Sequence, residues 1–228
     1  MNGIPDEFLN RVIVGDALDL SHRIPDHSID LIFTDPVYDR EHHYFWLGAT
    51  ARRLLKPDGR LLVWSNGRWH KKNTDWLEEC GLTYRWDFAW MHYAGLSPMN
   101  GKIICKTQRL IWMDLVGQSK MTDYCPDGFI SRPWLKSQLN EPNPEHRWTK
   151  SPSFTRIAVR AFSSIGDVVF DPFAGGGTIP AICKELERNF IAFEVDDETA
   201  ELAKNRLENT QPALTGLNDA IEQADFGI

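Results

Sequence analysis

VVFDPFAGGGT, Val168 to Thr178, is the stretch on which the reading of the fold turns. An apolar run ends in Asp171, a glycine-rich turn follows, and a helix begins near Thr178. Glycines permit positive φ and let a ligand approach the backbone closely. A helix start presents unpaired N–H groups to a negative group. The spacing is neither G-x-G-x-x-G nor a P-loop, since no lysine follows the glycines. The next apolar run, NFIAFE, ends in Glu194, 17 residues after Gly177. A carboxylate at that strand tip is placed to accept hydrogen bonds from two ribose hydroxyls. The plainer alternative is a tight turn, with Glu194 capping the helix after it. Strand, loop, helix, strand and Glu in that order favour a nucleotide-type ligand.

A second stretch lies far upstream: IDLIFTDPVYDR, Ile29 to Arg40. An apolar strand delivers Asp35, Pro36, Val37 and Tyr38 at its carboxyl end. Read alone, it is an ordinary strand-to-turn junction, where Asp and Pro are common. Beside a nucleotide loop, its residue types suit work on the exocyclic amine of a base. That amine is a poor nucleophile, because its lone pair is delocalised into the ring. Asp35 is placed to accept one amine hydrogen and the Pro36 carbonyl the other, aiming the lone pair at a methyl donor. Proline fixes its own φ and so holds that carbonyl. Tyr38 is placed to stack on an extruded base. Catalysis of this kind is positioning plus electrostatics, with no covalent enzyme intermediate.

Outward from these stretches the chain alternates. Strand-like runs occur at Arg11–Gly15, Ile29–Asp35, Arg60–Ser65, Val168–Asp171 and Asn189–Glu194. Helical patterns fall at His42–Leu55, Lys71–Cys80, Ser153–Ser163, Thr178–Glu187 and Asp197–Glu208. This alternation predicts an α/β fold, a doubly wound and mostly parallel sheet. Ligands in such sheets bind beyond the carboxyl ends of the strands. The segment from Thr83 to Glu145 breaks the rhythm. Thr83–Tyr93 and Thr107–Val116 read as further strands, a hairpin on the C-terminal side of the first parallel strands. Irregular Gly-, Pro- and Asn-rich stretches surround them, and such loops suit partner recognition.

Composition bounds the class. Of 228 residues, 42% are hydrophobic and 25% charged, which suits a soluble globular domain with a proper core. No apolar run is long enough to span a membrane, so no membrane partner is expected. The four cysteines, Cys80, Cys105, Cys125 and Cys183, form no C-x-x-C pair. That spacing argues against a zinc site or a disulfide framework and predicts a cytoplasmic location. The net charge of −7 opposes a nucleic-acid partner, but its distribution does not. Residues 52–160 carry 18 basic and 10 acidic side chains, a net of +8, between acidic flanks of −6 and −9. A basic centre of this kind gives one face that attracts phosphate.

At Asp35-Pro36-Val37-Tyr38 and at Asp171 to Thr178 the sequence resembles the amino-methyltransferases that modify adenine N6 or cytosine N4 in DNA. The match is to the family's D/S-P-P-Y and D-P-F-x-G-x-G-T motifs. The order of motifs resembles the beta group, a circular permutation of the usual Rossmann-like methyltransferase sheet. Val14-Gly15-Asp16 resembles the segment whose Asp contacts the cofactor's adenine. Leu54 to Gly59 resembles the family's turn after the helix that follows the catalytic loop. His146 to Lys150 resembles the segment that helps hold the methionine end of the cofactor. Val37 departs from the usual second proline, Arg147 from the proline after the histidine, and Ser151 from the proline after the lysine.

The resemblance implies an S-adenosylmethionine-dependent enzyme acting on a flipped base in double-stranded DNA. Asp at position 35 resembles the adenine-N6 members more than the cytosine-N4 members; a decayed, DNA-binding relative is the other alternative. It implies Asp35, Pro36 and Tyr38 as catalytic residues. Asp16, Lys150, Asp171, Phe173, Gly175, Gly177, Thr178 and Glu194 are implied to bind the cofactor. A homodimer and a companion restriction nuclease are partners known to such enzymes. The domain plan is a catalytic half at 1–82, an inserted target-recognition region at 83–145, a cofactor half at 146–210 and a tail at 211–228.

Basic residues near or within the middle segment are candidates to track phosphates: Arg68, Lys71, Lys72, Lys102, Lys106, Arg109, Arg132 and Lys136. A solvated face is the plainer reading of any one of them. Among nine tryptophans, Trp46, Trp64, Trp76 and Trp112 sit in apolar patterns and read as core. Trp69, Trp86, Trp90, Trp134 and Trp148 lie near basic residues and are candidates to stack on bases.

Overall fold

The computed structural model describes residues 3–91, 107–116, 122 and 150–212. In chain order the elements are β1 (Arg11–Val14), a short α1 (Ala17–Leu20), β2 (Ile29–Thr34), α2 (Glu41–Leu54), β3 (Leu55–Asn66), α3 (His70–Glu79), β4 (Thr83–Met91) and β5 (Thr107–Asp114). There follow α4 (Pro152–Phe162), β6 (Val168–Asp171), α5 (Thr178–Glu185), β7 (Asn189–Glu194) and α6 (Asp197–Asn209). The strands form one seven-stranded sheet in the order β1-β7-β6-β2-β3-β5-β4. The first five are mutually parallel. β5 runs antiparallel to β3, and β4 antiparallel to β5.

The central strands are short apolar runs because both of their faces are covered. Leu31, Phe33, Leu62, Trp64 and Val169 meet residues of α4, α5 and α6 in one core. Their alternating neighbours Ile32, Leu61, Val63 and Phe170 meet residues of α2 and α3 in the other. The two-residue period of a strand thus serves two helix layers. Caps start the helices where the sequence allows: Ser151 Oγ accepts from Phe154 N at 3.3 Å, with Pro152 in the first turn of α4. Asp196 Oδ1 accepts from Thr199 N at 2.8 Å to start α6.

From β6 the chain moves outward to β7, whereas from β2 it moves outward to β3 on the opposite side. The boundary between β6 and β2 is therefore the topological switch point, where a doubly wound sheet opens a crevice at its carboxyl edge.

β4 and β5 extend the same sheet beyond β3 and bury Phe88, Leu110 and Ile111. One expectation needs correction. Trp90 is core rather than a base-stacking surface: it is 7% exposed and packs edge-on against Trp64 at 5.9 Å. Its strand alternation already placed it with Phe88; nearby charge was the weaker signal. The Leu54–Gly59 turn survives as a bulge at the start of β3: Ile29 pairs with Leu55 and Leu31 with Arg60.

Gly177 caps α5 with φ +76°, and an added Cβ would lie 2.7 Å from the Ala203 Cβ and 2.8 Å from its Cα. Gly175 has φ +51° and open space around its missing Cβ. Gly177→Ala should therefore lower unfolding stability by roughly 2–4 kcal/mol through strain and overpacking. Gly175→Ala should lose only about 1 kcal/mol. Urea melts of the two variants check the order.

Candidate active site

Two strand tips meet at the switch point. Leu31 pairs with Val169 and Ile32 with Phe170, so Thr34 ends beside Asp171. The Thr34 hydroxyl donates to Asp171 Oδ1 at 2.8 Å, and the Phe173 amide donates to the same oxygen at 3.2 Å. Asp171 is only 2% exposed. Burial raises its carboxyl to about 8, and the nearby charges of Asp35 and Glu194 push in the same direction. A side chain so enclosed offers almost no surface to a ligand. It ties the glycine loop to β2.

The loop then turns over the tip of β7. The Ala174 amide donates to the Phe193 carbonyl at 2.9 Å, and the Gly175 amide to Glu194 Oε2 at 2.8 Å. Glu194 Oε1 accepts from the Asp196 amide at 3.0 Å. The helix cap is Asp196, so Glu194 is not spent on that task. Asp16, exposed, stands after the neighbouring tip of β1, where Val14 pairs with Glu194. Ideal Cβ atoms at Gly175 and Gly176 would meet nothing within 4 Å. Open glycine backbone, the first amides of α5 and two carboxylates at adjacent strand tips suit a nucleoside with hydroxyls to be bound. The residues present therefore fit the implied cofactor.

Phe173 joins this loop to α2. Its ring stacks on His43 with centroids 5.1 Å apart and meets the edge of Trp46 at 5.7 Å. Burial holds the His43 imidazole below its ordinary range, with His42 and Arg40 acting the same way. The Thr178 hydroxyl accepts from Arg206 of α6.

On the β2 side, the Tyr38 hydroxyl donates to Asp35 Oδ1 at 2.7 Å. The Lys150 ammonium donates to Asp35 Oδ2 and, at 3.1 Å, to the Tyr38 oxygen. Gln108, at the start of β5, donates to that same oxygen at 3.3 Å. Burial holds the Tyr38 phenol well above its ordinary range, and Asp35 adds to the shift. Pro36 is buried, whereas Val37 is 54% exposed. Sequence reasoning missed Gln108 and Thr34. Gln108 bore one faint signal, a polar residue at the mouth of an otherwise apolar strand. Lys150, which the resemblance implies helps hold the methionine end of the cofactor, donates to the Asp35 carboxylate.

β3 is parallel to β2, so the turn after it shares the rim with Asp35. Arg68 and Lys72 lie over the Trp69 ring there, at 5.5 and 5.2 Å. Lys71 pairs with Asp75 across one helical turn, and Arg109 pairs with Asp87 at 2.7 Å. Lys102, Lys106, Arg132 and Lys136 lie outside the described residues, as do Trp134, His146 and Trp148.

The DNA methylase family of N6/N4 methyltransferases matches this chain over residues 29–205. The chain belongs to that family. It is 26% identical over 249 residues to the type II methyltransferase M.BamHI of Bacillus amyloliquefaciens, covering 88% of this chain. The chain spans 57% of the length of that relative. Among solved structures, the M1.HpyAVI–SAM complex is 25% identical with a TM-score of 0.70, covering 86% of this chain and 99% of its own. The cytosine-N4-specific PvuII DNA methyltransferase shares the fold at 17% identity, with a TM-score of 0.70 over 95% of this chain and 93% of its own.

Asp171 should leave a signature in the ligand-free protein. Its carboxyl is raised from an unfolded value near 4 to about 8. Between those limits the folded state binds more protons than the unfolded state. Stability therefore falls as pH rises, by up to about 1.4 kcal/mol per pH unit from this group. His43, depressed by burial, acts in the opposite sense below its ordinary value and is common to both proteins. Denaturant melts between pH 5 and 8 should show Asp171→Asn gaining stability over the wild type as pH rises. A constant difference would show that residue 171 does not titrate there.

Proposed function

We propose that this chain transfers a methyl group from S-adenosylmethionine to the exocyclic amine of a flipped base in double-stranded DNA, adenine N6 in the first instance. One observation carries the reading. The hydrogen-bonded pair Asp35–Tyr38 and the open glycine loop occupy neighbouring strand tips at the switch point. Family membership supplies the reaction class.

Glu194 and Asp16 would receive the hydroxyls and adenine of the cofactor, and the Gly175–Gly177 backbone its close approach. Phe173 and Thr178 shape that loop, and Asp171 anchors it. The bound cofactor supplies a methyl group activated by a sulfonium leaving group. The Asp35 carboxylate accepts one amine hydrogen and the Pro36 carbonyl the other, which gathers the nitrogen lone pair for attack. A proton must leave the methylated amine, and the Asp35 carboxylate, which accepts one amine hydrogen, would take it. Tyr38 offers its ring face to the base. Arg68, Lys71 and Lys72 would meet phosphates on the adjoining rim. Arg109 and the lysines and arginine at 102, 106, 132 and 136 are the further candidates. Val37 does not weaken the proposal: its side chain points largely to solvent, while Pro36 keeps its buried place.

The test is incubation with methyl-labelled cofactor and unmethylated genomic DNA, then nucleoside analysis. N6-methyladenine is expected. N4-methylcytosine would reassign the base, and unlabelled DNA would leave only a binding role. Asp35→Ala should cut transfer by at least about 100-fold. Its cofactor affinity, measured by calorimetry, should stay within about threefold of wild type.

A further inference from the structure

Lys150 is a lysine with almost no solvent. Its side chain is 9% exposed, its ammonium donates to Asp35, and it lies 5.5 Å from the Trp64 ring centre and 5.7 Å from that of Tyr38. A cation is held so deep only when its charge is met. Asp35 supplies the charge, and the two rings supply their negative faces. The next residue, Ser151, is the N-cap of α4, so Lys150 stands directly before the start of that helix.

We propose that Lys150 is a positioning residue for methyl transfer: boxed between Trp64 and Tyr38, its ammonium pins one oxygen of Asp35 so that the other faces the amine. This rests on the proposed function. It departs from the role implied by the sequence resemblance, in which Lys150 holds the methionine end of the cofactor.

The argument is geometric. A carboxylate on a strand tip rotates about its last bond, and a rotated carboxylate misaims the hydrogen bond it must accept. Lys150 removes that freedom by taking Oδ2. Oδ1 keeps its second lone pair beside the Tyr38 hydroxyl, which Gln108 steadies from β5. The cost of small misplacement at a reacting centre is large, on the order of 100-fold for about 1 Å.

The two roles separate in one set of measurements on the full chain. Lys150→Met and Lys150→Arg are compared with wild type for melting temperature and for S-adenosylmethionine affinity by calorimetry. Transfer to unmethylated genomic DNA is then measured at saturating cofactor. Positioning predicts that Lys150→Met keeps its cofactor Kd within about threefold while kcat falls about 100-fold. Lys150→Arg, which restores the charge, should regain about tenfold of that loss. Should Lys150→Met melt below the assay temperature, Lys150→Gln, which keeps an N–H donor, is read by the same criteria. A weakened Kd with wild-type kcat at saturation overturns the proposal in favour of cofactor holding. Unchanged Kd and kcat overturn it outright. A wild-type protein that transfers no label ends the functional reading and this inference with it, and the wild-type reaction alone distinguishes that failure.

Discussion

The pairing of β2 with β6 is the constraint on which everything else in this molecule depends. Thr34 and Asp171 are separated by 137 residues, yet a single hydroxyl-to-carboxyl hydrogen bond joins the two strand tips. It sets the height of the glycine loop relative to Asp35, and so the gap in which any chemistry must occur. That bond is fully buried, where a hydrogen bond is strong and an unmade one costly. Asp171 has no buried cation to meet it among the described residues; its two donors are neutral. The loop is thus held by an acid whose own ionisation the fold resists.

Around that anchor the site is built from sheet register rather than from flexible loops. Asp35 directly follows β2, Lys150 directly precedes the Ser151 N-cap of α4 and Gln108 pairs within β5, so each stands on or beside the end of a regular element. Functional groups carried on regular elements hold their geometry more tightly than groups on loops. Phe173 extends the same principle to the cofactor loop, because His43 and Trp46 of α2 hold its ring. The two helix layers therefore act on both halves of the site at once.

Local pattern was legible, and contact across the sheet was not. The helix expected over Asp197–Glu208 runs over Asp197–Asn209, and Val168–Asp171 and Asn189–Glu194 are strands with the expected ends. Their apolar periodicity is a local property, readable from spacing alone. The partner of Lys150 was not readable, because nothing in a sequence says which carboxylate a lysine will meet after a crossover. Trp90 went astray for a related reason: proximity to basic residues outweighed the alternation of its strand. β4 and β5 extend the parallel sheet as an antiparallel pair by ordinary ladder hydrogen bonds.

The charge distribution acquires its meaning only from the sheet order. The acidic segments at 1–51 and 161–228 supply β1, β7, β6 and β2, which are four adjacent strands. The basic segment at 52–160 supplies β3, β5 and β4, which are the other three. A three-part division along the chain thus becomes a two-part division in the order of the strands, with Asp35 at the seam. An acidic crevice is a favourable place for a cationic sulfonium and an unfavourable one for a phosphate backbone. A basic flank has the reverse preference. A chain of net charge −7 is therefore compatible with a polyanionic partner on the proposed reading, since the two ligands approach opposite sides of one seam. The same division opposes a base entering from the acidic side, and it leaves the β3 rim, with Arg68, Trp69 and Lys72, as the electrostatically open approach to Asp35.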